Sequence, residues 1–181
     1  MTAQAGSAWR WLALGMALWI GPTLAQVERP AGIIPREAAP APELRLSDMD
    51  GRVYDLNESH GRWVFVHFWA SWCVPCRREM PAIERMAERM QGAPLDIVLV
   101  NTAETEDQVF SFLGAVAPDL MATLMDRDGA VTDRWQPRGL PATFLVDPEG
   151  TLRFVALGDR PWDTEPYLKF LNGLAGVQRQ G

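Results

Sequence analysis

The chain has 181 residues, 48% of them apolar and 22% charged, the profile of one globular domain with extensions. Seventeen lysines and arginines stand against 23 aspartates and glutamates, a formal net charge of −6. That balance argues against nucleic acid as a partner, because a phosphate-binding surface needs an excess of cations.

The first charged side chain is Arg10, and none follows until Glu28. Between them the apolar run Trp11–Ile20 spans ten residues, against the roughly 20 that a membrane-spanning helix needs. Gly21-Pro22 then breaks the run, and Thr23-Leu24-Ala25 offers small residues where a signal peptidase reads. Residues 1–25 therefore read as an export signal cleaved after Ala25. The uncharged stretch continues to Val27, so a retained membrane anchor is the alternative. Residues 26–42 carry Pro30, Pro35, Pro40 and Pro42 among alanines and read as an extended linker with no fold of its own. The folded domain is expected over 43–181.

Leu44 and Leu46 alternate with polar residues, Asp48 to Gly51 makes a turn, and Val53 to Leu56 runs back: a hairpin. Residues 63–69 form a near-continuous apolar run, as in a strand covered on both faces. Then come the only two cysteines, Cys73 and Cys76, at the start of a helical pattern reaching to about Gln91. Ile83, Met86, Ala87 and Met90 lie on its inner face, and Pro81 must bend it. Leu95 to Val100 is a second buried strand, so the two strands and the helix form a parallel, right-handed crossover unit. A helix from Glu104 or Thr105 to about Val116 follows, then a weaker strand from Leu120 to Met125 and a short helix over 130–135. A strand begins after Pro141, Asp147-Pro148-Glu149-Gly150 makes a turn, Thr151 to Leu157 returns, and the last helix covers about 163–174.

A thiolate at a helix N-terminus is stabilised by the unpaired amide donors and the partial positive charge there. Its pKa then falls below the ordinary ~8.5, and a second thiol three residues on closes a disulfide locally. A structural bridge over two intervening residues would stabilise little by loop closure, so the pair reads as a dithiol/disulfide centre. His67 lies six residues before Cys73 and reads either as a proton shuttle, since an imidazole titrates near neutrality, or as a polar residue hydrogen-bonded within the strand. His60 is placed on the surface. Arg77 and Arg78 either favour the Cys73 thiolate or form a solvated helix face.

Phe68-Trp69-Ala70-Ser71-Trp72-Cys73-Val74-Pro75-Cys76 with Glu79-Met80-Pro81 and the distant Gly139-Leu140-Pro141-Ala142-Thr143-Phe144 resembles the TlpA/ResA branch of exported thiol–disulfide oxidoreductases. The resemblance covers about 43–175. It implies an α/β, thioredoxin-like fold, a central mixed sheet flanked by helices, with an N-terminal hairpin and a mid-domain strand–helix insertion around 102–126. It implies Cys73 as an exposed nucleophile and Cys76 as the buried resolving thiol. Glu79 would tune thiol ionisation. Pro141 would be a cis-proline, and Trp72, Leu140 and Pro141 would meet the substrate. Thioredoxin itself has an aspartate where this chain has His67, the one departure.

The implied activity is reduction of disulfides in exported client proteins, such as those of cytochrome c maturation or copper-site assembly. Electrons would come from a membrane thiol-transfer protein, and no cofactor or metal is called for. A disulfide oxidant or isomerase on the same fold is the first rival. A Cu(I)-binding chaperone using Cys73 and Cys76 is the second; a closed zinc site wants about four ligands. A peroxidase is the third, and its usual Pro-x-x-x-Thr/Ser-x-x-Cys setting is absent.

Overall fold

The computed structural model describes residues 28–120 and 122–176. Residues 1–25, read above as an export signal, lie outside that range. Among the described residues no helix is long and apolar enough to cross a membrane.

The sheet is built around β4 (Trp63–Trp69), buried from Val64 onward. Alternation along the strand sends Phe65, His67 and Trp69 to one face and Val64, Val66 and Phe68 to the other, and each face meets its own core layer. β4 pairs in parallel with β5 (Leu95–Thr102), and β5 with β6 (Leu124–Asp126). On its other side β4 pairs antiparallel with β7 (Ala142–Val146), and β7 with β8 (Thr151–Leu157). Two more strands, β2 (Arg45–Ser47) and β3 (Val53–Asp55), make the expected hairpin as a small sheet of their own.

Among the described residues four helices cover the sheet: α1 (Val74–Arg89), α2 (Glu106–Val116), α3 (Ala130–Trp135) and α4 (Glu165–Leu174). Met80, Ile83 and Met86 of α1 pack with Phe112 and Leu113 of α2 and with Leu168 and Leu171 of α4 on one face. Val131 and Trp135 of α3 cover the other, beside Leu44 of the hairpin segment. Thr105 caps α2 through a reciprocal box with Gln108. The insertion is α2, a turn of 3₁₀ helix at Pro118–Leu120, and β6; the strand expected over 120–125 is confined to 124–126. The turn at Asp147-Pro148-Glu149-Gly150 closes with the Gly150 N–H donating to the Asp147 carbonyl at 2.9 Å.

One expectation is corrected. Residues 33–40 of the supposed linker form β1 (Ile33–Pro40), which pairs antiparallel with β8 and completes the order β1-β8-β7-β4-β5-β6. As an edge strand it needs only one buried side chain, Ile33, and it tolerates Pro35 and Pro40, with a register shift between Pro35 and Ala39. Hence its weak apolar signal. The Ile33↔Ala156 pairing puts the start of β1 at the end of the sheet where β8 finishes. There Tyr167 Oη donates to the Ala31 carbonyl at 2.6 Å. Gly32, at φ +82°, lies so close to Arg160 that a Cβ would come within 2.4 Å of Nε.

Candidate active site

At the C-terminal end of β4 the chain turns through Ala70–Trp72 into α1, and Cys73 is the N-cap of that helix. The Cys73 Sγ accepts the Cys76 N–H at 3.2 Å. Pro75 lies in the first turn, where its missing N–H costs no intrahelical bond. Cys73 and Cys76 are joined as a disulfide with their Cα atoms 5.2 Å apart. The sulfurs therefore sit on the helix N-terminus as the spacing predicts. Cys73 is not the exposed residue expected: it is 5% accessible and Cys76 is fully buried. Tied back to Cys76, Sγ turns into the core, while Trp72 (66%) and Val74 (61%) stand exposed on either side.

One turn further along α1, on the face that carries Cys76, Glu79 is buried. Its Oε1 accepts the Arg160 N–H at 2.9 Å and the Trp162 Nε1–H at 2.5 Å, both from the segment after β8. Burial pushes the Glu79 carboxyl up to about 8, against the pull of those two donors. Its Oε2 faces His67 Nε2 across 3.7 Å. His67 Nδ1 lies 2.9 Å from Thr143 Oγ1 on the neighbouring strand β7. Burial lowers His67 to about 3, so its ring is neutral at ordinary pH. His67 is thus hydrogen-bonded within the sheet and also turned towards Glu79.

The peptide Leu140–Pro141 is cis, as expected. The pairing of Phe68 with Ala142 brings Pro141 to the same end of the sheet as the turn leading to Cys73, and the Gly158 N–H donates to the Pro141 carbonyl at 2.8 Å. Leu140, half-buried, packs against both core layers. Arg78 pairs with Asp159 at 3.2 Å, and Arg77 lies over the Phe112 ring at 5.0 Å, so both arginines have partners besides the sulfurs. His60 is exposed, as expected. Among the described residues no group of three or more His, Cys, Asp and Glu side chains is assembled as a metal site.

Sequence reasoning missed Glu104, Arg160 and Trp162. Glu104 is buried, and its Oε2 accepts both the Ser71 N–H at 2.6 Å and the Asn101 Nδ2–H at 2.7 Å. The Ser71 hydroxyl donates to its Oε1. The only local hint is polar Asn101 near the end of a mostly apolar strand, with Glu104 two residues beyond it. Arg160 and Trp162 lie 81 and 83 positions from Glu79, with no local signal.

Comparison with known proteins agrees with this geometry. Residues 38–155 match the AhpC/TSA family. The thiol-disulfide oxidoreductase ResA of Bacillus subtilis is 33% identical over 122 residues, 67% of this chain and 68% of that protein. The thioredoxin-like protein YneN of the same organism is 32% identical over 127 residues, 68% and 72% of the two chains. Among solved structures, a thiol:disulfide interchange protein DsbE from Chlorobium tepidum superposes with a TM-score of 0.67 at 28% identity, covering 77% of this chain and 98% of that one. With a cystine at the head of α1 and relatives of this kind, the chain belongs to the AhpC/TSA family, as a ResA-like thiol–disulfide oxidoreductase on the thioredoxin fold.

Proposed function

We propose that the protein is an exported reductase of disulfides in client proteins. Cys73 is the attacking sulfur and Cys76 the resolving one. A partner disulfide is attacked by the Cys73 thiolate, a mixed disulfide forms, and Cys76 then displaces the client as a thiolate. A membrane thiol-transfer protein returns the electrons. Residues 1–25 direct export, by a cleaved signal or a kept anchor. Trp72, exposed beside Cys73, and Leu140 with Pro141 form the surface a client strand meets. Clients of cytochrome c maturation or of copper-site assembly both fit this chemistry.

The observation that carries the reading is the Cys73–Cys76 disulfide at the N-terminus of α1 with the Glu79 carboxyl buried one turn below. An acid held near 8 is matched to a thiol and can act as its base close to neutral pH.

Titration of the domain against a thiol/disulfide buffer, followed by tryptophan fluorescence, tests the direction. A reductase is expected at or below about −220 mV, on the scale where thioredoxin lies at about −270 mV. A midpoint near about −120 mV would instead make it an oxidant of exported proteins. No reversible transition would turn attention to Cu(I) on the reduced sulfurs.

A further inference from the structure

Among the described residues four buried side-chain polar atoms have no hydrogen-bond partner, His67 Nε2, Glu79 Oε2, Asn101 Oδ1 and Arg160 Nε, and the first two face each other across 3.7 Å. The distance exceeds a hydrogen bond by under about 1 Å. A small turn of the carboxyl about its broad terminal torsion closes that gap. The other atom of each group is already engaged. Oε1 accepts two N–H donors, so a proton on Glu79 belongs on Oε2. Nδ1 meets the Thr143 hydroxyl, which either accepts or donates.

We propose that His67 is the switchable hydrogen-bond partner of Glu79: it accepts the Oε2 proton through Nε2 while Glu79 is an acid, and donates through Nε2–H once Glu79 is a carboxylate. The Thr143 hydroxyl reverses its role at Nδ1 in step. The ring stays neutral, and neither state leaves a ring nitrogen unpaired. A buried carboxyl can then gain and lose a proton without leaving a polar atom unsatisfied in the core. This rests on the thiol–disulfide reading above and assigns His67 as a positioning residue for its acid.

In the resolving step the Cys76 S–H proton passes to the Glu79 carboxylate. The Cys76 sulfur electron pair forms the Cys76–Cys73 bond, the Cys73–client bond breaks, and the client sulfur leaves as a thiolate carrying the electron pair of that broken bond. Glu79 ends as the acid and His67 as its acceptor. Besides Cys76 on α1, the titratable and charged groups around the pair are Asp159 and Arg160 after β8, which raise and lower the Glu79 carboxyl respectively, and Tyr167 on α4. Thr143 is the polar neighbour from β7.

The test uses the Cys73 mixed disulfide with thionitrobenzoate and follows its release by Cys76 in stopped flow from pH 5 to 9. His67→Phe keeps a ring but loses both nitrogens, so the carboxylate loses its donor. The alkaline-rising limb is expected to move up by about one unit, about tenfold slower release at pH 7. His67→Gln, whose amide turns to offer oxygen or nitrogen, is expected to restore most of the rate. Nitrogen NMR of the wild-type ring is expected to show a change of neutral tautomer as Glu79 titrates. An unshifted profile in His67→Phe, no rescue by Gln, or a ring that keeps one tautomer or becomes imidazolium would each overturn the proposal. If the wild type formed the mixed disulfide and never resolved it, the redox reading would fall as well.

Discussion

Glu104 holds Ser71: across 33 positions its carboxylate accepts both the backbone N–H and the hydroxyl of the residue two before Cys73. The same Oε2 takes the Asn101 amide, so one buried side chain ties the end of β5 to the turn from β4 into α1. Glu104→Ala strands these donors and is expected to cost about 2–3 kcal/mol in denaturant unfolding. Glu104→Gln keeps an acceptor and should cost less. Equal losses in the two variants would show that the carboxylate's hydrogen bonds do not hold the turn.

The His67–Glu79 pair sets a definite dependence of stability on pH. Glu79 is raised from 4.5 to about 8, so its native-state proton is retained where the unfolded chain has lost it. Its contribution therefore falls as pH rises between those values. His67 is lowered from 6.5 to about 3, so its contribution is lost as pH falls from 6.5 to 3. Between about 4.5 and 6.5 the two slopes cancel; between about 3 and 4.5 only His67 acts and between about 6.5 and 8 only Glu79, each approaching about 1.4 kcal/mol per pH unit. Relative to wild type, Glu79→Gln should remove the loss above pH 6.5, and His67→Gln the loss below 4.5. Unfolding curves at half-unit steps would reveal it, and parallel profiles in all three proteins would contradict it.

Cys76→Ser should accumulate mixed disulfides through Cys73 with any client, visible as adducts on non-reducing gels and released by dithiothreitol. Cys73→Ser should form none and lose turnover altogether. Adducts in the second variant would reverse the assignment of attacking and resolving sulfur.

Two glycines share the same backbone angle and differ in what lies beside them. Gly32 and Gly51 both have φ +82°, but a Cβ on Gly51 meets nothing within 4 Å, whereas on Gly32 it would run into the Arg160 guanidinium. Gly51→Ala should cost only the left-handed conformation, about 1 kcal/mol. Gly32→Ala should cost more, because it is coupled to the Arg160 guanidinium, which must move off the Asp159 and Leu157 carbonyls it donates to. Identical midpoints for the two variants in urea would rule out that coupling.

What could be read from the residues alone followed from local periodicity. The unbroken apolar run of β4, the four-residue stripe of α1, the Asp147–Gly150 turn and the cysteine spacing each declare themselves within one element. β1 did not, since an edge strand that buries Ile33 alone carries no alternation to detect. In the site the same division holds. Cys73, Cys76 and Glu79 lie within seven residues on one helix, and His67 could be singled out as a histidine in a buried strand. Its partners could not, because Thr143 and Glu79 reach it only through the strand pairing and the placement of α1 against the sheet. Arg160, Trp162 and Glu104 are fixed by strand order in the same way. The burial of Cys73 is not legible either, because it depends on how α1 and its disulfide pack against the sheet.

The direction of β1 fixes how the molecule is presented. Its first residue pairs with Ala156, so the chain comes into the sheet at the end where β4 hands over to Cys73. A tether attached before Glu28 thus pulls on the reactive pole rather than the opposite one. Each further extended residue lets that pole stand off by at most about 3.3–3.6 Å. If the anchor of the proposed function is kept, the disulfide would look back at the surface that holds it, and clients would have to approach from the side.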